Sequence, residues 1–283
     1  MPKILALVDG SIYAESVAGI SAWAAQRLGL PVEAAHVLGR RVLSSFDLSG
    51  NLEADERGVL LQELADLDAQ HGKIAQQKGR AILDAAKTLL QSAGVADVST
   101  KLRNGDLLEM LADLEADAEM IVIGKRGEAA DFAKLHLGSN VERVVRAAKK
   151  PVLVAARGYA PFDRFLIAYD GGRSANRAVE YVASSPLLKG MKCTILTVGA
   201  DTPENRSRLE APKLQLEQAG FTVSAVLESG EPDEVIGRRV ETDGIGLLVM
   251  GAYGHSRIRS LVIGSTTTAM VRRCKIPVLM FRE

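Results

Sequence analysis

The sequence predicts an α/β protein that consists of two tandem doubly wound domains. Two observations lead to this fold class: the second half of the chain repeats the pattern of the first, and in each half short apolar segments alternate with helical ones. Strands that are apolar on both faces are typical of a parallel sheet covered by helices on both sides. A length of 283 residues also fits two domains of ordinary size.

The repeat is visible when the sequence is compared with itself. The matching segments are residues 4–10 with 165–171, 35–37 with 196–198, 104–106 with 229–231, 121–124 with 248–251 and 151–154 with 277–280. The first two matches share an offset of 161 residues, whereas the later ones lie 125 to 127 residues apart. The first half therefore carries 36 additional residues (161 − 125) between its second and third strands. The join lies near Gly158–Pro161, so we expect domains at residues 1–157 and 161–283.

Five apolar segments in each half predict the strands. In the first half they are Ile4–Asp9, Val32–Leu38, Asp97–Arg103, Glu119–Gly124 and Val152–Ala155; in the second half they are Phe165–Tyr169, Lys192–Val198, Thr222–Glu228, Leu247–Gly251 and Val278–Phe281. The helices of the first half are predicted at Tyr13–Leu28, Val59–Ala93, Leu107–Ala116 and Ser139–Ala148. Right-handed crossovers between parallel strands then wind each half on both sides of its sheet. The additional segment Arg40–Gly58 is rich in Asp, Glu and Ser and predicts a surface loop.

An acidic residue followed by glycine ends the first strand of each half. These pairs are Asp9-Gly10 and Asp170-Gly171. In an open doubly wound sheet the ligand crevice lies beyond the carboxyl ends of the strands, so both carboxylates reach such a crevice. There a carboxylate can accept hydrogen bonds from an exocyclic amine or a ribose hydroxyl. A helix cap or turn is an equally typical role for Asp and Gly at a strand-to-helix connection, and both interpretations stay open.

The fourth strand of the second half runs into a glycine-rich loop. Gly251 and Gly254 are followed by nine residues and then by Gly264-Ser265-Thr266, which opens a predicted helix. Glycines let the backbone approach an anion closely, and a helix amino terminus offers unpaired N–H groups with a partial positive charge. The loop contains the basic residues His255, Arg257 and Arg259 and no acidic residue. This pattern predicts a phosphate site, with Ser265 and Thr266 adding hydroxyl donors.

These residues resemble the nucleotide motif of the universal stress protein family, G-x2-G-x9-G-[ST], and the chain resembles a tandem member of that family over nearly its whole length. The resemblance implies that each domain is a Rossmann-like, five-stranded parallel sheet of order 3-2-1-4-5 with helices on both faces. It implies ATP as ligand, with ADP or AMP as alternatives and Mg²⁺ arriving with the nucleotide. By the same resemblance Asp170 and Val198 contact the adenosine part, and the loop glycines with Ser265 contact the phosphates.

The first half departs from the family spacing. Ten residues separate Gly127 from Gly138, one more than the motif has, and the intervening loop contains Glu128 and Asp131. Two like charges about 4 Å apart repel by roughly 4 kcal/mol at an effective dielectric constant near 20, so acidic residues facing a triphosphate would weaken binding. The weaker site predicted in this half consists of Asp9, Val37, Gly124, Gly127, Gly138 and Ser139.

Composition argues against several classes of partner. With 35 basic and 35 acidic residues the chain lacks the basic excess that favours nucleic acid or anionic membranes. No segment approaches the ~20 consecutive apolar residues of a membrane span, and the run Ile4–Val8 is too short for a signal peptide. Two cysteines far apart in sequence, Cys193 and Cys274, fit a reducing compartment. We therefore expect a cytoplasmic protein without nucleic-acid or membrane partners.

Established catalytic and metal motifs are missing from the sequence. A GxxxxGK[ST] loop, a GxGxxG after either first strand and a GxSxG elbow are all absent, and the four histidines show no metal-ligand spacing. We therefore assign no catalytic residue and no protein-held metal. His36 occupies the position of Thr197 in the other half, near the end of an interior strand, and is interpreted as a hydrogen-bonded core residue.

Three functions remain open at this point. The first is an ATP-binding stress-response protein that acts as a nucleotide-dependent regulator or sensor read by a protein partner. The second is an enzyme that slowly hydrolyses ATP or transfers its phosphoryl group, for which Asp170 is the only acidic candidate. The third is a protein-interaction adaptor without nucleotide. The resemblance further implies that the two domains pack as a pseudo-dimer through their last strands, and a homodimer is also compatible with the sequence.

Overall fold

The computed structural model describes residues 1–39, 54–127, 139–252 and 274–282, apart from the side chains of residues 54–61 and 139. The strands are β1 (Lys3–Leu7), β2 (Val32–Gly39), β3 (Val98–Gly105), β4 (Ala118–Gly124), β5 (Val152–Ala155), β6 (Arg164–Ala168), β7 (Lys192–Val198), β8 (Thr222–Glu228), β9 (Leu247–Gly251) and β10 (Val278–Phe281). The helices are α1 (Ala14–Leu28), α2 (Ala54–Ser92), α3 (Leu107–Leu114), α4 (Ser139–Ala147), α5 (Arg173–Ser184), α6 (Pro203–Gln218) and α7 (Pro232–Thr242), and a 3₁₀ turn follows α3 at Glu115–Asp117.

All ten described strands form one continuous sheet. Its order is β3-β2-β1-β4-β5-β10-β9-β6-β7-β8, so each half contributes five parallel strands in the order 3-2-1-4-5. The second half repeats the parallel pairings of the first. The predicted fold class, two tandem doubly wound α/β domains, is confirmed.

The two halves meet where β5 pairs with β10, the only antiparallel pair among the described strands. Leu153 lies opposite Leu279 in this pair, and both side chains are fully buried. These are the last strands of the two halves, as the family resemblance implies. The pairing satisfies a strand edge in each half that would otherwise offer unpaired N–H and C=O groups to other chains.

Helices cover both faces of the sheet and bury a core on each. On one face α1, α2, α5 and α6 lie over a core that includes Ile4, Ala6, Phe165 and Ile167. On the other face α3, α4 and α7 lie over a second core that contains Leu5, among others. Alternate residues along β1 and β6 thus point to opposite cores, which explains why these strands read as continuous apolar runs in the sequence.

The start of helix α2 corrects one sequence prediction. The loop expected at Arg40–Gly58 was wrong for residues 54–58, because α2 already begins at Ala54. Residues 54–57 read Ala-Asp-Glu-Arg, and Ala, Glu and Arg have high helix propensity, while one glycine at position 58 costs only about 1 kcal/mol. The remainder of that predicted loop, residues 40–53, lies outside the described residues.

Among the helices that the structure describes, none combines the length and the apolar character that crossing a membrane would require.

Candidate functional site

Three central strands of the first half end together and gather the predicted residues. In the parallel register Leu7 of β1 lies beside Ala35 of β2 and Ile123 of β4. Asp9 and Val37 follow two residues beyond this row, and Gly124 follows one residue beyond it. The sequence prediction that these residues share the carboxyl edge of the sheet therefore agrees with the register.

The second half repeats this arrangement. Ala168 of β6 lies beside Leu196 of β7 and Met250 of β9. Asp170, Val198 and Gly251 consequently occupy the positions that Asp9, Val37 and Gly124 occupy in the first half. The remaining predicted residues of this site, Gly254, Gly264, Ser265 and Thr266, lie outside the described residues, as do the basic loop residues His255, Arg257 and Arg259.

A cleft opens at the carboxyl edge of the first half. Its walls come from the ends of β1, β2 and β4 and from the first turns of α3 and α4. The lining residues are Leu7, Val8, Asp9, Ala35, His36, Val37, Leu107, Met110, Ile123, Gly124, Gly127, Asn140 and Val141. Four of the six residues predicted for this site are among them. Gly138 lies outside the described residues, and Ser139 begins α4 but its side chain is not described.

Asp9 combines a turn role with a position on the cleft. Its Oδ1 accepts a hydrogen bond from the backbone N–H of Ser11 at 3.1 Å, which fixes the strand-to-helix turn. Its Oδ2 lies so close to Gly127 that a Cβ there would be only 2.9 Å away. Glycine at position 127 therefore lets the loop after β4 pass directly over the carboxylate.

Asp170 forms the equivalent turn in the second half. Its Oδ1 accepts a hydrogen bond from the N–H of Gly172 at 2.8 Å, and Gly171 between them has a positive φ of 77°, which favours glycine. The turn interpretation that the sequence left open thus holds for both acids. Asp170 is exposed, so the turn does not remove it from contact with a ligand.

The first glycine of each motif has a packing role that the sequence prediction missed. A Cβ at Gly251 would lie 2.3 Å from Ser174 Oγ and 3.1 Å from the backbone nitrogen of Ala175. A Cβ at Gly124 would lie 2.7 Å from Tyr13 Cβ. In both halves this glycine lets the amino-terminal end of a helix pack directly on the end of the fourth strand. The sequence signal for this packing role was the recurrence of the glycine in both halves, which the sequence analysis attributed to phosphate binding alone.

His36 and Thr197 make the same contact in the two halves. His36 Nδ1 lies 2.8 Å from the carbonyl oxygen of Val8, and Thr197 Oγ1 donates to the carbonyl oxygen of Tyr169 at 2.8 Å. Both side chains are buried. The interpretation of His36 as a hydrogen-bonded core residue is confirmed, and its ring also forms part of the cleft wall.

Two helices that border the cleft are tied together by an ion pair. The side chain of Asp106 caps α3 by accepting from the N–H of Leu108 at 2.7 Å. Its other oxygen accepts from Arg143 of α4. The Arg143 guanidinium and the Leu108 N–H lower the pKa of Asp106. This pair holds the first turns of α3 and α4, which carry Leu107, Met110, Asn140 and Val141, at the cleft mouth.

Lys125 is not among the residues that line the cleft, and it joins the two halves. Its Nζ donates to the carbonyl oxygen of Cys274 at 2.5 Å, just before β10. Burial lowers the pKa of Lys125 from 10.5 to about 8. A basic residue of the first glycine loop therefore contributes to the contact between halves, a role that no sequence motif indicated.

In the described part of the chain, no three His, Cys, Asp or Glu side chains lie close enough together to bind a metal ion. The amino terminus of α4 borders the cleft and offers backbone N–H groups that can bind an anionic group.

Comparison with known proteins follows the same division into halves. The model of the universal stress protein family matches residues 1–156 and again residues 161–282. A universal stress protein of Synechocystis is 39% identical over 287 residues, and the match covers 100% of each chain. A universal stress protein of Mycobacterium tuberculosis is 24% identical over 261 residues, covering 84% of this chain and 80% of that one. The solved structure of a universal stress protein from Archaeoglobus fulgidus superposes with a TM-score of 0.75 at 23% identity and covers 99% of this chain and 98% of its own, which shows the shared fold.

Proposed function

Because this chain belongs to the universal stress protein family in both of its halves, we propose that it is an adenine-nucleotide-binding stress-response protein that acts as a nucleotide-dependent regulator. The observation that carries the proposal is the first-half cleft, where Asp9, Val37, Gly124 and Gly127 converge with the amino terminus of α4. The proposed domains are residues 1–157 and 161–283, with one nucleotide site in each.

The lining of the first-half cleft suits the two ends of a nucleotide. Val37, Leu107 and Met110 offer apolar surface for an adenine ring, and the Asp9 carboxylate can accept hydrogen bonds from ribose hydroxyls. The glycine at 127 and the first turn of α4 offer backbone N–H groups and a partial positive charge for phosphates. A Mg²⁺ ion brought by the nucleotide would neutralise part of the phosphate charge.

The second-half site is proposed on the complete family motif. Asp170 and Val198 would contact adenosine, and the phosphate residues would be Gly251, Gly254, Gly264, Ser265 and Thr266. Support for this site comes from the register that brings the ends of β6, β7 and β9 together, and from the sequence spacing. The loop between Gly254 and Gly264 carries no acidic residue, in contrast to the first-half loop.

A nucleotide that binds only the native state would regulate the protein by stabilising that state. A ligand that binds only the folded chain raises the free energy of unfolding by RT ln(1 + [L]/Kd), about 2.7 kcal/mol at a hundredfold excess over Kd. The helices α3 and α4 that flank the cleft would be stabilised most directly. A protein partner that contacts these helices could thereby distinguish the loaded from the empty state.

Thermal unfolding tests the proposal. We expect saturating ATP with Mg²⁺ to raise the melting temperature by a few degrees. The variant Gly127→Leu, whose Cβ would lie 2.9 Å from Asp9 Oδ2, should respond less, because the added side chain displaces the Asp9 carboxylate from the first-half cleft and only the second-half site remains. Gly237→Ala provides a control, since a Cβ at this helical position meets nothing within 4 Å. Wild-type protein whose melting temperature is unmoved by ATP, ADP and AMP would contradict the proposal.

A further inference from the structure

The described walls of the first-half cleft offer a ligand little positive charge. Among the described residues that line the cleft, none is lysine or arginine, and Asp9 is the one acidic side chain. The two cations of the loop that follows β4, Lys125 and Arg126, are not among these lining residues. Lys125 is held at the other half of the molecule, where its Nζ donates to the carbonyl oxygen of Cys274. A phosphate in the cleft would therefore meet no cationic side chain from the described lining.

Arg143 follows the lining residues of α4, but an acidic residue balances its charge. Asn140 and Val141, one turn earlier on this helix, line the cleft. The Arg143 guanidinium donates to the Asp106 carboxylate, which also accepts from the backbone N–H of Leu108. A charge-assisted hydrogen bond of this kind is roughly twice as strong as a neutral one, so a phosphate would have to compete with Asp106 for Arg143. The pair adds no net positive charge beside the cleft.

The amino-terminal end of α4 is the part of the described cleft that can bind an anion. The helix begins at Ser139, and its first backbone N–H groups, together with the helix dipole, complement one anionic group. The side chain of Asn140 lines the cleft, and its Nδ2 lies 3.9 Å from the place that a Cβ on Gly127 would take. Its amide N–H groups can donate to the same anion. These donors suit a single phosphate, whereas every further phosphate adds negative charge that needs donors of its own.

The loops between the motif glycines differ in charge between the two halves. In the first half, residues 128–137 contain Glu128 and Asp131 against Lys134. In the second half, residues 255–263 contain Arg257 and Arg259 and no acidic residue. By charge alone, the loop of the second half favours a polyphosphate, and the loop of the first half disfavours one.

We propose that the first-half cleft binds AMP in preference to ATP, because its described residues provide donors for one phosphate and no cationic side chain for a second or third. The inference rests on the proposed function, since it concerns which adenine nucleotide the first site selects. The second-half site, with its basic loop, is expected to prefer ATP. One folded chain then carries two different nucleotides, and its occupancy responds to the balance between AMP and ATP.

Native mass spectrometry with an equimolar mixture of AMP and ATP, in the presence of Mg²⁺, tests the preference because the two ligands add different masses. We expect the wild-type chain to carry one AMP and one ATP as its major form, which corresponds to a preference of about tenfold or more at each site. Gly127→Leu should lose the AMP and keep the ATP, whereas Gly237→Ala should retain both. ATP alone at a saturating concentration still fills both sites, since concentration overcomes a preference of this size.

The outcomes separate this inference from the proposed function. Wild-type protein that carries two ATP or two AMP in the mixture, or a Gly127→Leu variant that keeps the AMP, would overturn the inference and leave adenine-nucleotide binding in place. A chain that binds neither nucleotide would contradict both.

A cation introduced into the cleft tests the cause of the preference. Asn140→Lys places an ammonium group at an exposed lining position, so we expect the first site to lose most of its preference for AMP. Calorimetry in a Gly264→Leu background, which leaves the first site alone, measures both affinities. Gln215→Lys adds the same charge at an exposed position of α6 and should leave the ratio of the affinities at about tenfold. A ratio that Asn140→Lys leaves unchanged would overturn the proposal.

Discussion

At the carboxyl ends of the central strands, single residues stabilise the fold at the positions where a nucleotide site is proposed. Asp9 and Asp170 both fix a strand-to-helix turn through one carboxylate oxygen. Gly124 and Gly251 both allow a helix to pack on a strand. Interpreting the motif only as a ligand site therefore misses its structural role, because the fold requires the same residues before any nucleotide binds.

Replacing Gly251 with alanine should destabilise the protein even without nucleotide. The new Cβ would lie 2.3 Å from Ser174 Oγ and 3.1 Å from a backbone nitrogen, so α5 must shift away from β9. We expect a loss of about 1–3 kcal/mol in the free energy of unfolding, measured by urea denaturation without ligand. Gly237→Ala should instead stabilise by about 0.4–1 kcal/mol, because it removes a helical glycine from open space. Equal stability of Gly251→Ala and wild type would rule out the packing role.

At the level of elements, pattern and periodicity predicted most of the structure. The bounds of β5 and of β7 to β10 were predicted to the residue, since short apolar runs bounded by turn residues leave little choice. The start of α2 was wrong because a polar, charged segment can be a loop or a solvated helix, and composition does not separate the two. The contact between Lys125 and Cys274 could not be predicted, because residues 149 positions apart meet only through the order of the sheet.

The contact of Lys125 with the second half should make stability depend on pH. Burial lowers the pKa of this lysine from 10.5 to about 8, so between those values the unfolded chain binds more protons than the folded one. The contribution of Lys125 to the free energy of unfolding therefore rises with pH across that window. We expect the stability difference between wild type and Lys125→Met to shift in favour of wild type from pH 8 to pH 10.5, as followed by urea denaturation.

The comparison needs a lysine without such a contact. Lys189 is exposed, so Lys189→Met removes a positive charge without changing a buried site. Its stability difference from wild type should vary much less over the same pH range. A flat difference for Lys125→Met would show that the pKa of Lys125 is the same in the folded and the unfolded protein, and would contradict the effect of burial.

At the scale of the whole molecule, the two halves form a single sheet. The carboxyl ends of the central strands form an equivalent edge in each half. The sequence predicted this duplication from the repeat, and four of the six residues that it predicted for the first-half site line the cleft. The sequence did not indicate the packing of α3 and α4 around that cleft, because the pattern that includes Leu107 and Met110 predicts only an apolar helix face. Part of helix α2 falls in the region where the first half is longer than the second, so the repeat gave no second copy to compare it with.

Native mass spectrometry of the chain with ATP and Mg²⁺ tests the central claim most directly, because it counts bound nucleotides per chain. We predict two per chain, one lost in Gly127→Leu and the other in Gly264→Leu, with Gly237→Ala retaining both. Wild-type protein that carries no nucleotide at saturating concentration, or variants that both retain two, would contradict the assignment of a nucleotide site to each half.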